Sequence, residues 1–573
     1  MSRISHLLTF ALTVGLLVSA CSSSDPEQTT SDDPTPRVEP TDPPTPAEPT
    51  DPPTPADPAP LDVTTEGGKL RGTTDGGVRS FMGIPYAAPP VEGLRWRSPA
   101  PAAAWESVRE AKLAGPPCPQ NIPVMNAPTG FEDCLYLNVL TPDPLPAGPA
   151  PVMVWIHGGG FTSGDGRHYT GATNGRTIAA ETGTIVVTLN YRLGQLGFLA
   201  HHALTNEDPS RPSSGNYGLE DQVAALEWIE RNIAAFGGDP ENVTIFGESA
   251  GGISVCALLA SPLSGGLFHR GIIQSGPCTT KFATLADAER QGERFAEQLG
   301  CGDALEVLEC MRKAPADRVA AALPPDPAFF FSEGEFGSWF PIVDDFVLTE
   351  NIADSFASGS FHRVPLLVGS NEDEGTLFVA LSHDHLGRPL EASQYRDRIA
   401  LLISDDDETI DRVEARYPLD AFETPGLALS ESFGDAALAC PTIETARLAA
   451  DHTPTYLYQF DYPDAAFQIP LNIEIDLGAF HSAEISYAFG TPATDAPFSD
   501  VEEQLATSMV GYWTRFAATG DPNGPGAVAW PRLDDSRRHL ILSTEVREAT
   551  GARADACAFW RELGLRARLT PAD

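Results

Sequence analysis

Val243-Thr244-Ile245-Phe246-Gly247-Glu248-Ser249-Ala250-Gly251-Gly252-Ile253-Ser254-Val255-Cys256-Ala257-Leu258-Leu259 passes from one kind of secondary structure to another within a single short span. Val243 to Phe246 is an apolar, β-branched run suited to a buried strand, and Ile253 to Leu259 is an apolar run suited to a buried helix. Between them, Gly247 and Gly251 remove two side chains where the chain must turn sharply. A serine at the apex of such a turn sits in a strained backbone conformation, with its hydroxyl exposed at a helix N-terminus. Gly-x-Ser-x-Gly by itself recurs by chance in many chains, so the strand before it and the helix after it carry the inference.

Working outward, Val152 to His157, Thr184 to Asn190, Gly271 to Gln274 and Val364 to Gly369 read as further strands, continuous in apolar character. Leu219 to Ala235 carries Val223, Leu226, Ile229 and Ile233 at a helical period, a stripe made to pack on a sheet. Strand, helix, strand succession with unbroken apolar strands predicts an α/β fold: a large, mostly parallel central sheet flanked by helices. Thr284 to about Ala357 has more helix and loop character and reads as an insertion over the sheet that helps to form a substrate gorge.

The chain has 573 residues, which one large α/β sheet with insertions can absorb, so length alone does not demand a second catalytic domain. Its formal net charge of −42 repels phosphate backbones, so nucleic acid is not expected as a partner. The first sixty residues stand apart. Arg3 and the apolar run Leu7 to Val18 form a signal peptide too short to span a bilayer, ending in Val18-Ser19-Ala20-Cys21. These last four residues resemble a bacterial lipobox, which implies cleavage after residue 20 and lipid attachment at Cys21. An ordinary signal peptide cut near Ala20 is the alternative. Residues 21 to 60 are rich in Pro, Thr, Asp and Ser, with Pro40 to Glu48 repeated at Pro49 to Asp57. Proline at this density predicts an extended polyproline-II tether, with a proline-rich docking ligand as its other use. Residues 61 to 573 then form the catalytic domain. The protein is thus expected to be exported and attached to the bacterial membrane or cell surface through the N-terminal lipid alone, or else secreted or periplasmic.

A serine hydroxyl is a weak nucleophile at neutral pH, so acyl transfer also needs a base, an acid to orient it and donors for the oxyanion. His157-Gly158-Gly159-Gly160-Phe161 ends a strand, and its glycines let backbone N–H groups approach a substrate closely. The turn Glu372-Asp373-Glu374-Gly375 follows the strand at Val364 to Gly369 and offers three acids, which spacing does not separate.

Together these motifs resemble the type-B carboxylesterase family, which has the α/β-hydrolase fold. Phe236-Gly237-Gly238-Asp239-Pro240-Glu241-Asn242 and the elbow that follows, to Gly251, match its serine signature. Glu132-Asp133-Cys134-Leu135-Tyr136-Leu137-Asn138-Val139 matches its second signature. The resemblance runs from about Val63 to Leu563 and implies a serine carboxylic-ester hydrolase that works through an acyl-enzyme and needs no metal or organic cofactor. It implies Ser249 as nucleophile, Glu374 as acid and His481, in Phe480-His481-Ser482-Ala483-Glu484, as base. It implies Gly159, Gly160 and Ala250 as oxyanion donors, with Glu248 and Ser275 in support around them. His362 precedes the acid, His383 and His385 follow it too closely, and His452 and His539 lack the family's context.

The same resemblance implies disulfides joining Cys118 with Cys134, Cys301 with Cys310 and Cys440 with Cys557. Cys256 and Cys278 have no counterparts in it. Two buried thiols are the expectation for them, with an extra bridge as the alternative. The short loop from Cys118 to Cys134 contains no tryptophan, unlike the choline-binding loop of cholinesterases, which argues against a choline ester. Phe329 to Phe331 and Trp339-Phe340, near Pro341 to Asp344, supply aromatic bulk for an acyl pocket or equally for the core. The expected substrate is a small to medium neutral ester. An amidase or carbamate hydrolase on the same fold, and a catalytically inactive surface-binding relative, are the rival functions.

Overall fold

Both faces of the strand Ala150–Ile156 are buried, which explains why the strand is apolar throughout. Ala150, Val152, Val154 and Ile156 enter one hydrophobic cluster, while Met153 and Trp155 enter another on the opposite face. A strand covered by helices on both sides has no solvent face to mark with polar residues. In a computed structural model of the chain, the described residues are 61–122, 127–167, 173–302, 305–322, 339–466, 473 and 475–564. They belong to the unit Ala59–Asp573. The signal peptide, Cys21, the tether and Phe329 to Phe331 lie outside the described residues.

The main sheet has eleven strands. In chain order they are β1 (Thr73–Asp75), β2 (Val78–Pro85), β3 (Tyr136–Pro142), β4 (Ala150–Ile156), β5 (Ile185–Leu189), β6 (Gly238–Glu248), β7 (Arg270–Gln274), β8 (Leu366–Asn371), β9 (Thr455–Phe460), β10 (Arg538–Leu542) and β11 (Arg547–Thr550). Their spatial order is β11-β10-β9-β8-β7-β6-β4-β5-β3-β2-β1. Every pairing from β5 through β4, β6, β7, β8 and β9 to β10 is parallel, and the edges are antiparallel. This is the α/β-hydrolase arrangement that the sequence motifs imply. The strand expected to begin at Val364 begins instead at Leu366, because Pro365 has no N–H for the ladder. β6 starts earlier than expected, at Gly238, and reaches its regular register at Val243 only after an irregularity.

Seven helices matter for the site: α1 (Tyr217–Asn232), α2 (Ala250–Ala260), α3 (Leu285–Gln298), α4 (Pro425–Gly434), α5 (Cys440–Ala450), α6 (Asp500–Thr519) and α7 (Ala554–Leu563). The helix read at Leu219 to Ala235 is α1, ending in a tighter turn at Ile233–Phe236. α1 and α2 cover one face of the sheet, and α6 covers the other with Leu505, Met509, Trp513 and Phe516. α3 opens the expected insertion, and its start is fixed by a reciprocal cap between Thr284 and Asp287. Within the insertion, Trp339 packs edge-on against Phe295, whereas Phe340 packs against Phe161 beside the glycine loop. Trp339 is therefore a core residue, and only Phe340 of this pair adjoins the glycine loop.

Cys118–Cys134, Cys301–Cys310 and Cys440–Cys557 are disulfides, as the family pattern implies. The expectation of two thiols at Cys256 and Cys278 is corrected: they form a fourth bridge, with Cα atoms 6.1 Å apart. The cause is the close approach of α2 to the loop after β7. A side chain at Gly252 would meet the Gln274 carbonyl and the Gly276 Cα, and one at Gly276 would meet Gly252. Backbone contact of this kind brings Cys256 and Cys278 within bridging distance.

Candidate functional site

The elbow begins where β6 ends at Glu248. Ser249 has φ 57° and ψ −121°, a conformation that a non-glycine residue keeps only when its surroundings enforce it. Those surroundings are visible. The Ser249 N–H donates to the Gln274 carbonyl (2.8 Å), and the Ser249 carbonyl caps α2 by accepting from Ile253 N–H (2.9 Å). The two glycines of the motif are steric requirements, since a Cβ on Gly251 would lie 2.0 Å from the Ile156 carbonyl oxygen and one on Gly247 would lie 2.6 Å from Gly251. A larger residue at either place would push the elbow off β4.

The glycine loop after β4 lies against this elbow. A Cβ on Gly158 would approach the Ser249 Cβ to 3.1 Å. Gly159 and Gly160 have φ of 103° and 59°, which turn the loop back on itself, and the Gly159 carbonyl accepts from Thr162 and Ser163 N–H. No hydrogen bond among the described residues uses the N–H of Gly159, Gly160 or Ala250. Ala250 is the first residue of α2, where an N–H has no partner within the helix. His157 stacks on Tyr191, with ring centres 4.4 Å apart, and the Tyr191 hydroxyl donates to the His157 carbonyl (2.8 Å). The loop is thus held from behind.

Three acids follow β8, and the structure sends them in three directions. Glu372 faces Arg553 (3.3 Å) and also accepts from Gln459. Asp373 accepts from the Ala479 N–H (2.8 Å). Glu374 accepts from the Asn371 N–H (2.8 Å) and from His481 Nδ1 (2.6 Å). A carboxylate only accepts, so the Nδ1 of a neutral His481 carries the proton and Nε2 is the acceptor. The histidine and acid loops are joined by backbone bonds as well as by this pair, since the Asp373 N–H donates to the Ala479 carbonyl (3.0 Å).

Nε2 of His481 faces the Glu248 carboxylate at 3.1 Å. No hydrogen bond joins Nε2 to the Ser249 hydroxyl, and contacts of this kind tighten with substrate in place. Burial pushes the Glu248 carboxyl well above the usual carboxylate range. Burial alone would lower His481, but the Glu248 and Glu374 carboxylates outweigh it and hold the imidazole above its ordinary value. Ser275 is fully buried at φ 48°, with its N–H bonded to the Gly369 carbonyl (2.8 Å) and its hydroxyl unpartnered.

Two groups of residues were not singled out from the sequence. Glu484 is fully buried and accepts from Asn371 Nδ2 (2.7 Å) and Gln274 Nε2 (2.9 Å), and the Gln274 side-chain oxygen accepts from Trp513 (3.1 Å). This buried network ties β7, β8, α6 and the histidine segment together. The spacing of Glu484 from His481 is its one signal in the sequence, since three residues later on a helical turn returns to the same side. The second group gathers around Arg553, far along the chain.

The carboxylesterase family model matches residues 59–560. Para-nitrobenzyl esterase of Bacillus subtilis (strain 168) is 37% identical, over 82% of this chain and 92% of its own length. Fumonisin B1 esterase of Sphingopyxis macrogoltabida is 36% identical, over 83% of this chain and 85% of its own. Liver carboxylesterase of Sus scrofa is 34% identical, over 85% and 89%. With the serine elbow, the glycine loop and an eleven-stranded α/β sheet all in agreement, the chain belongs to the carboxylesterase family and is a carboxylic-ester hydrolase.

Proposed function

We propose that ester cleavage runs through Ser249 as nucleophile, His481 as base and Glu374 as orienting acid, in that chain order, with Gly159, Gly160 and Ala250 N–H groups receiving the oxyanion. The observation that carries this reading is the buried 2.6 Å pair of His481 Nδ1 and Glu374 Oε2, in a site where Ser249 is held in an enforced conformation. The Ser249 hydroxyl attacks the ester carbonyl carbon as its proton passes to His481 Nε2. The tetrahedral oxyanion collapses, and the alcohol leaves with the proton from Nε2. Water then attacks the acyl-enzyme by the same route, releasing the acid and restoring Ser249. Glu374 stabilises the imidazolium throughout, Glu248 faces Nε2 from the other side, and Ser275 supports the elbow through the strand end at Gly369.

The substrate class is a small to medium neutral ester, a reading supported by the strongly acidic chain and by the para-nitrobenzyl esterase relative. Cys21 carries a diacylglycerol, and residues 22 to 60 hold the enzyme off a bacterial membrane, a reading that rests on the lipobox and the proline repeat. Intact mass of the mature N-terminus tests it, since an unmodified Cys21 or a different cleavage point would remove the anchor.

p-Nitrophenyl esters of graded acyl length, assayed beside the matching anilide, test the chemistry. The esters should turn over faster, with kcat/KM falling as the acyl chain outgrows the pocket. A preference for the anilide would make the enzyme an amidase. The electrostatics of the base give a second expectation. Nε2 must be unprotonated to take the serine proton, and a facing carboxylate favours the protonated ring, which moves activity to higher pH. Glu248→Gln should therefore lower the pH of half-maximal kcat/KM by about 1. An unchanged or raised midpoint would sink this role for Glu248.

A further inference from the structure

Arg553 is the buried cation behind the acid turn. It sits at φ 43° immediately before α7, and its side chain is 8% exposed. One guanidinium nitrogen pairs with Glu431 at the end of α4 (2.8 Å) and with Asp435 just beyond it (2.5 Å). The other donates to the main-chain carbonyl of Glu372 and lies 3.3 Å from the Glu372 carboxylate. Glu372 is two residues from Glu374, so one planar fork joins the backbone of the acid turn to α4. The turn already has two other holds. Glu372 N–H donates to Phe460 of β9 (2.9 Å), and Asp373 bonds to the Ala479 backbone. On the third side the turn has little room, since a side chain on Gly375 would overlap the Ser430 carbonyl.

The fork is itself held. Asp435 also accepts from the Tyr417 hydroxyl (2.9 Å), which accepts from Trp560 Nε1 of α7 (2.9 Å). The Cys440–Cys557 bridge ties α7 to α5. A small cavity of about 140 Å³ adjoins the turn, lined by Glu372 to Thr376, Glu431, Asp435 and Arg553 itself. Burial pushes the Glu372 carboxyl to about 7 and raises Asp373 and Asp435. Without the guanidinium these acids would face one another with no counter-charge, and the shortest relief is for the turn to move into the cavity.

We propose that Arg553 is a positioning residue for ester hydrolysis: its hold on the Glu372 carbonyl, braced by Glu431 and Asp435, fixes Glu374 at hydrogen-bond distance from His481. This rests on Glu374 being the acid. Arg553 touches no reacting atom. Its loss reaches the reaction only through the Glu374–His481 pair, and small misplacements of such a pair are costly.

The test is a double-mutant cycle. Arg553→Met and Arg553→Lys are each made alone and on a Glu374→Gln background, checked for folding by circular dichroism and assayed with an activated p-nitrophenyl ester. Arg553→Met should lower kcat about ten- to a hundredfold, with KM within about threefold, because substrate binding does not use the acid turn. On the Glu374→Gln background the same change should lower kcat less than about twofold, since no acid remains to misplace. Should Arg553→Met fail to fold, Arg553→Lys decides. Lysine keeps the charge but lacks the planar fork that reaches both α4 and the Glu372 carbonyl. It should give a smaller fall in kcat that also vanishes with Glu374→Gln. Wild-type kcat in folded Arg553→Lys, or an equal fall on both backgrounds, would overturn the proposal. A Glu374→Gln enzyme with undiminished kcat would instead remove the acid assignment on which it depends.

Discussion

Ser249→Ala is expected to lower kcat for ester hydrolysis by on the order of 10⁵- to 10⁶-fold, with the protein folded and KM little changed. The size follows from the chemistry, because without Oγ no acyl-enzyme can form and only oxyanion donors and binding remain. The fold should survive, since the serine's structural work is done by its backbone. Its N–H bonds to Gln274 and its carbonyl caps α2. Alanine also tolerates the elbow no worse than serine, both having a Cβ at φ 57°. Steady-state kinetics with a p-nitrophenyl ester, beside a thermal melt, make the measurement. Ester turnover near the wild-type rate would move the nucleophile elsewhere.

Glu374→Gln carries the second-largest expectation, a loss of about 10⁴-fold in kcat. The replacement amide can turn its NH₂ towards Nδ1. The imidazole then answers by moving its proton to Nε2, which leaves no acceptor for the serine proton. The neighbours serve as controls. Asp373→Asn loses a charged acceptor for the Ala479 N–H but keeps a neutral one. Glu372→Gln keeps the main-chain carbonyl that Arg553 holds. Both should stay within about tenfold of wild type, as neither touches His481. A collapse in either, with Glu374→Gln active, would reassign the acid.

The serine elbow could be read from the chain because its parts are adjacent: strand, two glycines, serine and helix follow one another, and the sterics that need Gly247 and Gly251 act between near neighbours and β4. The parallel strands β4 to β8 could be read for a similar reason, since being buried on both faces leaves an unbroken apolar run. Six strands were not legible: β1 and β11 are short, exposed edge strands, while β2, β3, β9 and β10 are largely buried but carry polar residues that break the apolar run. The Cys256–Cys278 bridge was misjudged because nothing in a 22-residue separation reveals that two glycines let α2 and the β7 loop touch.

The sequence by itself supplies a local basis for the class of chemistry, the serine elbow and the glycine loop, because each is a pattern whose backbone requirements are written in consecutive residues, whereas the histidine segment follows from the family resemblance alone. Spacing does not separate the three consecutive acids; the family resemblance names Glu374, and only the tertiary structure shows why it is the one that meets the imidazole. Glu372, Asp373 and Glu374 have nearly the same chemistry, and their roles are set by what approaches each: Arg553 from 181 residues further on, the Ala479 N–H from 106 and His481 from 107. Local sequence specifies a turn that presents carboxylates. The partners that divide those carboxylates among charge pairing, loop fastening and the His481 imidazole come together only when distant strands and helices pack.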